Sequence, residues 1–429
     1  MLARLRIGGN RVKRISDVRC FPLALFLLFF AISAFGVKAA PADNAPLDYR
    51  IELTTALKGF DGKTCWVHAR SGAIPFGAPG NPGKRPVVIT TMQKLLLSKS
   101  DVFYGLCDLR TDDLGKTWIG PTEHATLDRR SPRPGVEVVP CDFSPAWHAA
   151  SGKLLGTGTT FWYSSGANDH LPKAHSEVSY SAYDPEKRSW NEWKTMAMPD
   201  EPKFQVARAG CTQRVDLPNG DILLPIYFRE ATANLRTATV CRCRFDGETL
   251  IYIEHGDELT VDEPRGLHEP SLVRFQDRFY LTLRNNVHAY VTTSNDGLHF
   301  EPVRPWTFDD GSELGSYNTQ QHWAAHSDGL FLVYTRRGDK NDHVFRNRAP
   351  LFIAQVDPER LVVLRSTERI LVPERGAGLG NFGVTNVSPQ ETWITASEWM
   401  QPSSAREHGS DNSVFVVKLH WNQASEDRP

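Results

Sequence analysis

Thr111-Asp112-Asp113-Leu114-Gly115-Lys116-Thr117-Trp118 is the stretch whose reading settles the fold class. It matches a Ser/Thr-x-Asp-x-Gly-x-Thr-Trp hairpin, the Asp box. In such a hairpin the Asp caps its own turn, the Gly takes a positive φ and the aromatic packs under the next strand. A shortened copy follows at Ser294-Asn295-Asp296-Gly297-Leu298-His299-Phe300, and a degenerate third runs from Tyr183-Asp184-Pro185 to Trp190. A recurring turn of this kind folds the chain, so its Asp and Trp residues are not expected to touch a substrate.

Outward from these turns the chain reads as short β-type runs at nearly even spacing. Examples are RPVVITTM (85–92), DILLPIYF (221–228), RFYLTLR (278–284), GLFLVYTR (329–336) and ETWITASEW (391–399). Runs of this length, rich in Val, Ile, Tyr and Phe and bounded by Asn-Gly, Asp-Gly or Pro, are strands. Almost nothing beyond the N-terminus has helical period. The predicted architecture is an all-β propeller. At the typical ~45–50 residues per blade it would have seven blades, with a six-bladed ring as the alternative. No low-complexity linker or charge block interrupts it, so residues 41–429 are expected to form one domain.

The N-terminus reads differently. Arg4, Arg6, Arg11, Lys13, Arg14 and Arg19 precede an apolar run from Cys20 to Gly36, and the small-residue stretch Val37 to Ala42 follows. This is the pattern of a signal peptide over residues 1–40, with an uncleaved anchor as its rival. It predicts a periplasmic or extracellular protein with no membrane attachment after cleavage. A formal net charge of -1 provides no basic footprint for nucleic acid. An anionic substrate must therefore be met by locally placed arginines. Beyond the leader stand Cys65, Cys107, Cys141, Cys211, Cys241 and Cys243. Their even number permits disulfides, and Cys241-Arg242-Cys243 places two thiols on one strand face without matching a zinc pattern. Buried thiols or ordinary disulfides are the expectation.

Polar residues that break strand logic gather in four places: Asp61 to Pro75 (DGKTCWVHARSGAIP, with His68 and Arg70), Phe204 to Cys211 (with Arg208), Leu267-His268-Glu269-Pro270-Ser271 with Arg284, and Tyr317-Asn318-Thr319-Gln320-Gln321-His322-Trp323 with Tyr334 and Arg336. Any one His in a strand is usually structural. Four such clusters on predicted inner strands point to one shared pocket. Arg70, Arg208, Arg284 and Arg336 would form a fork-shaped carboxylate site, with His268, Glu269 and Gln321 as further substrate contacts. Glu269 is the only acid in these motifs, so the two carboxylates of ordinary glycoside hydrolysis are missing. His, Tyr and Arg around a uronic acid suggest β-elimination instead: arginine neutralises the carboxylate, acidifying the adjacent C–H, and His68, His322 or Tyr334 moves the proton.

DGKTCWVHARSGAIP, TMQKLLLSKSDVFYGLCDLRTDDLGKTW (91–118) and YNTQQHW together resemble the rhamnosyl-glucuronate lyases, a family of seven-bladed sialidase-like propellers formerly grouped as rhamnosidases. The resemblance implies a polysaccharide lyase releasing terminal L-rhamnose from α-1,4-linked glucuronic acid of plant arabinogalactan-type glycans. It makes an acidic plant or algal polysaccharide the partner and places the family's catalytic His at His68. It also implies a calcium ion deep in the channel, near His322 or His268, with no ligand set assigned. Two alternatives stand beside it: an exo-sialidase-like glycoside hydrolase, and a non-catalytic glycan-binding propeller. The Arg-Ile-Pro segment that opens sialidases is replaced here by Ala73-Ile74-Pro75, which counts against the first.

Overall fold

The computed structural model describes residues 47–166, 168–171 and 176–426; the expected leader, residues 1–40, lies outside them. Among the described residues the chain forms six antiparallel sheets of four to six strands, the blades of a propeller. The six-bladed alternative therefore holds, and the seven-bladed expectation is corrected. Dividing length by a typical blade fails because the connections are long: residues 305–322, 334–351 and 397–414 carry almost no strand.

The innermost strands of the six blades, in chain order, are Thr64–Ile74, Val136–His148, Val206–Arg208, His268–Phe275, His322–His326 and Gly383–Ser388. The sixth blade is completed by the N-terminal strand Tyr49–Leu57, which pairs with Val414–Trp421 from the other end of the chain. Tyr49 makes edge contacts with Trp421 and Phe331 at 5.3 and 5.5 Å, so the closing strand also seals the seam to the fifth blade.

The outer turns repay the sequence reading. Asp113 Oδ1 accepts from the Thr117 amide at 2.9 Å, its Oδ2 takes the Thr117 hydroxyl at 2.7 Å, and Gly115 sits at φ 80°. Asp296 accepts from the Leu298 and His299 amides at 2.9 and 2.8 Å. Asp184, Asp246 and Asp357 each cap the same way, accepting two backbone amides just ahead in the chain. All five stand where the third strand of a blade turns into the next. In the sixth blade that junction does not exist, because its fourth strand arrives from the N-terminus.

A second repeat lies on the inner strands. Pairing slips by one residue between Val67 and Arg70, between Cys141 and Ser144, and between His268 and Ser271. Each slip is a β-bulge, and its first residue has a left-handed backbone: His68 (φ 59°), Asp142 (55°) and Glu269 (47°). Cys211 (61°) and Asn318 (49°) hold the corresponding positions in the third and fifth blades. Side-chain-bearing residues enter this region at a cost of roughly 1–2 kcal/mol, so five of them in one ring need a compensating reason. Bulges of this kind re-aim side chains next to functional sites.

All six described cysteines are buried free thiols, with no disulfide among them. Cys241 and Cys243 share a face, as their spacing requires, and both pack into the core around Ile222, Leu224 and Phe245.

Candidate active site

The bulges open onto a cavity of about 790 Å³ lined by His68, Asp142, Cys211 and Glu269 among others. Five of the six blades contribute the first part of the inner strand or the loop just before it, and the remaining one, the fifth, contributes Phe345, Arg346 and Arg348 from the loop between its second and third strands. A second cavity, about 580 Å³, takes residues further along the same strands: Arg70 and Ser71, Ser144 to Trp147, Thr212 to Asp216, Val273, His322 and Gly383 to Asn386. Inner strands of a propeller run in one direction, so the two cavities are the two ends of the central channel.

His68 is 3 % exposed and lies between two partners. Its Nε2 is 3.0 Å from Asp142 Oδ1, while Nδ1 has Gln93 Oε1 at 3.4 Å and the Cys141 thiol at 3.8 Å. The Gln93 amide nitrogen donates to the Tyr104 carbonyl, which turns its oxygen toward the ring. Phe103 and Trp399 flank the imidazole at 5.1 and 5.8 Å. Burial lowers the His68 pKa more than Asp142 raises it, so the ring is neutral at pH 7. Asp142 is held below the carboxylate range: burial alone would raise it, but His68 and Arg70 outweigh that. The Cys211 thiol donates to the same Oδ1 at 3.0 Å, and Arg70 Nη2 stands 3.6 Å away.

Across the cavity, Glu269 and Arg284 form a bidentate ion pair at 2.6 and 2.5 Å, and the second Arg284 nitrogen reaches Asn318 Oδ1 at 2.6 Å. Tyr227 lies opposite Arg208 in the third blade, and its ring packs at a 58° tilt against His268 with centroids 6.1 Å apart. Burial holds its phenol above the ordinary 10.0, against the pull of Arg208. The hydroxyl is therefore protonated at neutral pH and able to donate.

The wall is strongly cationic. Arg208, Arg229, Arg236, Arg265, Arg284, Arg346 and Arg348 line the cavity against three carboxylates, Asp101, Asp142 and Glu269. Arg236 and Arg348 are pushed down to about 9, by burial first and by neighbouring arginines second, which leaves them charged at neutral pH. Arg265 moves the same way for the same reasons. Like charges gathered at partial burial cost free energy until an anion arrives, so this surface is built for a negatively charged ligand.

Four of the sequence-predicted residues meet in this cavity: His68, Arg208, Glu269 and Arg284. Arg70 and His322 line the second cavity instead. His268 is fully buried behind Tyr227. Gln321 is a brace, donating to Ser316 Oγ at 3.1 Å and to the Thr319 carbonyl at 2.6 Å. Tyr334 and Arg336 line neither cavity. The Tyr334 hydroxyl bonds Glu368 at 2.5 Å, and Arg336 grips the same carboxylate at 2.8 and 2.6 Å. Tyr334 ends the second strand of its blade, Gly329–Tyr334, and Arg336 follows it by two residues, one layer out from the channel. Val333 faces His322 there, and strand alternation turns Tyr334 to the opposite face, into the core around Trp306 and Phe352.

Asp142, Tyr227, Arg236, Arg265 and Arg348 have no motif to mark them; only Asp142 and Arg265 are set apart by a left-handed backbone, at φ 55° and 74°. His68, Cys141 and Asp142 could converge on a cation, their ligand atoms lying within 4.8 Å of one another. One carboxylate with a thiol and an imidazole does not suit calcium, which takes six to eight oxygens, and Arg70 stands against the same carboxylate. This cluster, which is not where the resemblance places the ion, does not fit calcium, and no step is assigned to a metal.

No protein-family model matches the chain, and no curated protein does. Solved structures do match. A protein of unknown function from Dyadobacter fermentans superposes with a TM-score of 0.59 at 14 % identity, over 87 % of this chain and 99 % of its own. The sialidase of Trypanosoma rangeli, solved with sialic acid, gives 0.58 at 12 % over 87 % of this chain and 59 % of its own. A Hadza microbial sialidase gives 0.57 at 12 %, over 83 % and 66 %. This chain spans only part of those sialidases, and at such identities the likeness concerns the fold: the protein is a six-bladed propeller of the sialidase-like kind.

Proposed function

We propose that the protein is a carbohydrate-active enzyme that breaks the glycosidic bond at C4 of a uronic acid by β-elimination. The substrate we favour is terminal L-rhamnose α-1,4-linked to glucuronate in plant arabinogalactan-type glycans. The observation that carries this reading is the meeting, in one arginine-lined cavity, of a neutral His68 held by Asp142 with a protonated Tyr227.

The roles follow from charge and protonation. Arg208 and Arg236, neither with an ion-pair partner among the described residues, take the carboxylate, and their charge favours the carbanionic character that develops at C5. The His68–Asp142 pair accepts the C5 proton. The C4–O bond breaks, a double bond forms between C4 and C5, and the departing oxygen takes the Tyr227 proton. Rhamnose leaves intact and the uronate remains unsaturated. Because His68 must be neutral, activity is expected to rise with pH through a value below its ordinary 6.5 and then level off.

One observation favours a second reading, hydrolysis: Tyr227 and Glu269 line the same cavity and could act as nucleophile and partner. Against it, both Glu269 oxygens are held by Arg284. The test is to incubate the mature protein with a rhamnose-capped glucuronate oligosaccharide and follow free rhamnose and the ultraviolet absorbance of the conjugated uronate. Rhamnose with rising absorbance is the expected result. Rhamnose alone would establish hydrolysis, and binding without release would leave a lectin-like propeller.

A further inference from the structure

Among the described residues one group of side chains stands close enough to share a metal ion: a ring nitrogen of His68, the Cys141 thiol and a carboxylate oxygen of Asp142 lie within 4.8 Å of one another. The bulge of the second blade brings them together. In a regular strand Cys141 and Asp142 would point to opposite faces. Pairing slips between Cys141 and Ser144, and Asp142 turns left-handed at φ 55°. Both side chains then meet the same imidazole, the carboxylate 3.0 Å from Nε2 and the thiol 3.8 Å from Nδ1. His68 and Asp142 line the 790 Å³ cavity, which gives an ion its way in.

The donor atoms select the ion. Imidazole and thiolate suit zinc and its neighbours in the transition series, whereas a single carboxylate leaves calcium short of oxygens. One nitrogen, one sulfur and one oxygen, with a fourth position open to a cavity, is the ligand count of an exchangeable zinc site. The charges agree, since Asp142 and an ionised Cys141 balance a divalent cation. Zinc bonds of about 2.0–2.3 Å would draw the three atoms closer than they stand, and the thiol proton would leave on binding. Arg70, 3.6 Å from the same carboxylate, opposes any cation and keeps the affinity moderate.

We propose that His68, Cys141 and Asp142 bind a single zinc ion, entering from the cavity. Binding has a consequence for the reaction that rests on the reading of His68 as proton acceptor: a neutral imidazole has one lone pair, and a ring that has given it to zinc cannot take the C5 proton. Zinc then inhibits. The site itself stands whether or not the proposed elimination is the reaction.

Cobalt(II) is the spectroscopic probe. Titrated into the reduced full chain, it would give a thiolate-to-cobalt charge-transfer band in the near ultraviolet, saturating at one ion per chain, which zinc removes and calcium at the same concentration leaves in place. Cys141→Ser would abolish the band, and Cys243→Ser, in the core around Ile222 and Phe245, would keep it. No band in the wild type, or a band that survives Cys141→Ser, would overturn the proposal. Anomalous diffraction from wild-type crystals grown in zinc decides the matter even if the variant does not fold: a peak between His68, Cys141 and Asp142 supports the site, and a peak elsewhere or none overturns it. Zinc at ten times its dissociation constant should also cut turnover of the rhamnose-capped substrate about ten-fold, restored by a chelator. A cobalt band without loss of turnover would keep the metal site and remove His68 as proton acceptor.

Discussion

Two features repeat around this ring, and they repeat in opposite ways. The outer turns keep one residue type: Asp113, Asp184, Asp246, Asp296 and Asp357 each cap the hairpin that leaves a third strand. The inner ring keeps one left-handed backbone geometry, at three bulges and two loop positions, and changes the residue each time, to His68, Asp142, Cys211, Glu269 and Asn318. A constant side chain in a constant turn serves folding, since every blade needs the same bend. A constant bend presenting four different side chains, His68, Asp142, Cys211 and Glu269, to one cavity serves recognition or chemistry. Repetition alone therefore says little about function; variation at a fixed geometry says a good deal.

Substitutions at the two kinds of position should separate them. The largest effect is expected at a bulge: His68→Asn, with a side chain that tolerates a left-handed backbone, should cost roughly a hundred- to ten-thousand-fold in turnover of the rhamnose-capped substrate while Tm stays within a few degrees. A loss of folding with no intermediate loss of rate would return His68 to the core. Next comes the cationic wall. Arg348→Met should weaken binding of a glucuronate oligosaccharide by roughly ten- to a hundred-fold by calorimetry, with a flatter salt dependence than the wild type. Equal affinity in both would mean that the arginines face no ligand. Asp113→Ala should do the reverse, lowering Tm by a few degrees and leaving turnover unchanged.

The smallest effect concerns pH. Hydrogen bonds from Thr117 hold Asp113 down at about 2 from an ordinary 3.8. A carboxylate lowered by folding stabilises above its ordinary value and loses that contribution as pH falls through the folded one. The Tm gap between Asp113→Ala and wild type should thus be full above about pH 4 and close as pH approaches 2. A gap that persists there would show that the turn does not depend on the ionised Asp.

The difference between the two repeats also explains what could be read beforehand. A turn chemistry such as Thr111 to Trp118 is local, so the sequence displays it, and it led to the propeller. Blade number was not local: long connections absorb the residues of a seventh blade. His68, Arg208, Glu269 and Arg284 stood out because polar residues interrupt strands there. Asp142 did not, because Cys141-Asp142-Phe143 has no marker for a one-residue slip in pairing. Tyr227 and Tyr334 sit in similar runs, IYF and LVY, and only the register decides that one meets Arg208 at the cavity and the other enters the core.

The meeting of Tyr49–Leu57 with Val414–Trp421 sets the order in which the molecule can be made. The Thr54 hydroxyl bonds the Val416 carbonyl across 362 positions of chain. Contacts that distant repay the entropy of closing their loop only after the intervening chain has found its place, which slows the final step. During synthesis the first strand emerges long before its partner exists, and its unpaired edge is the part of the molecule most exposed to misassembly until the last blade arrives.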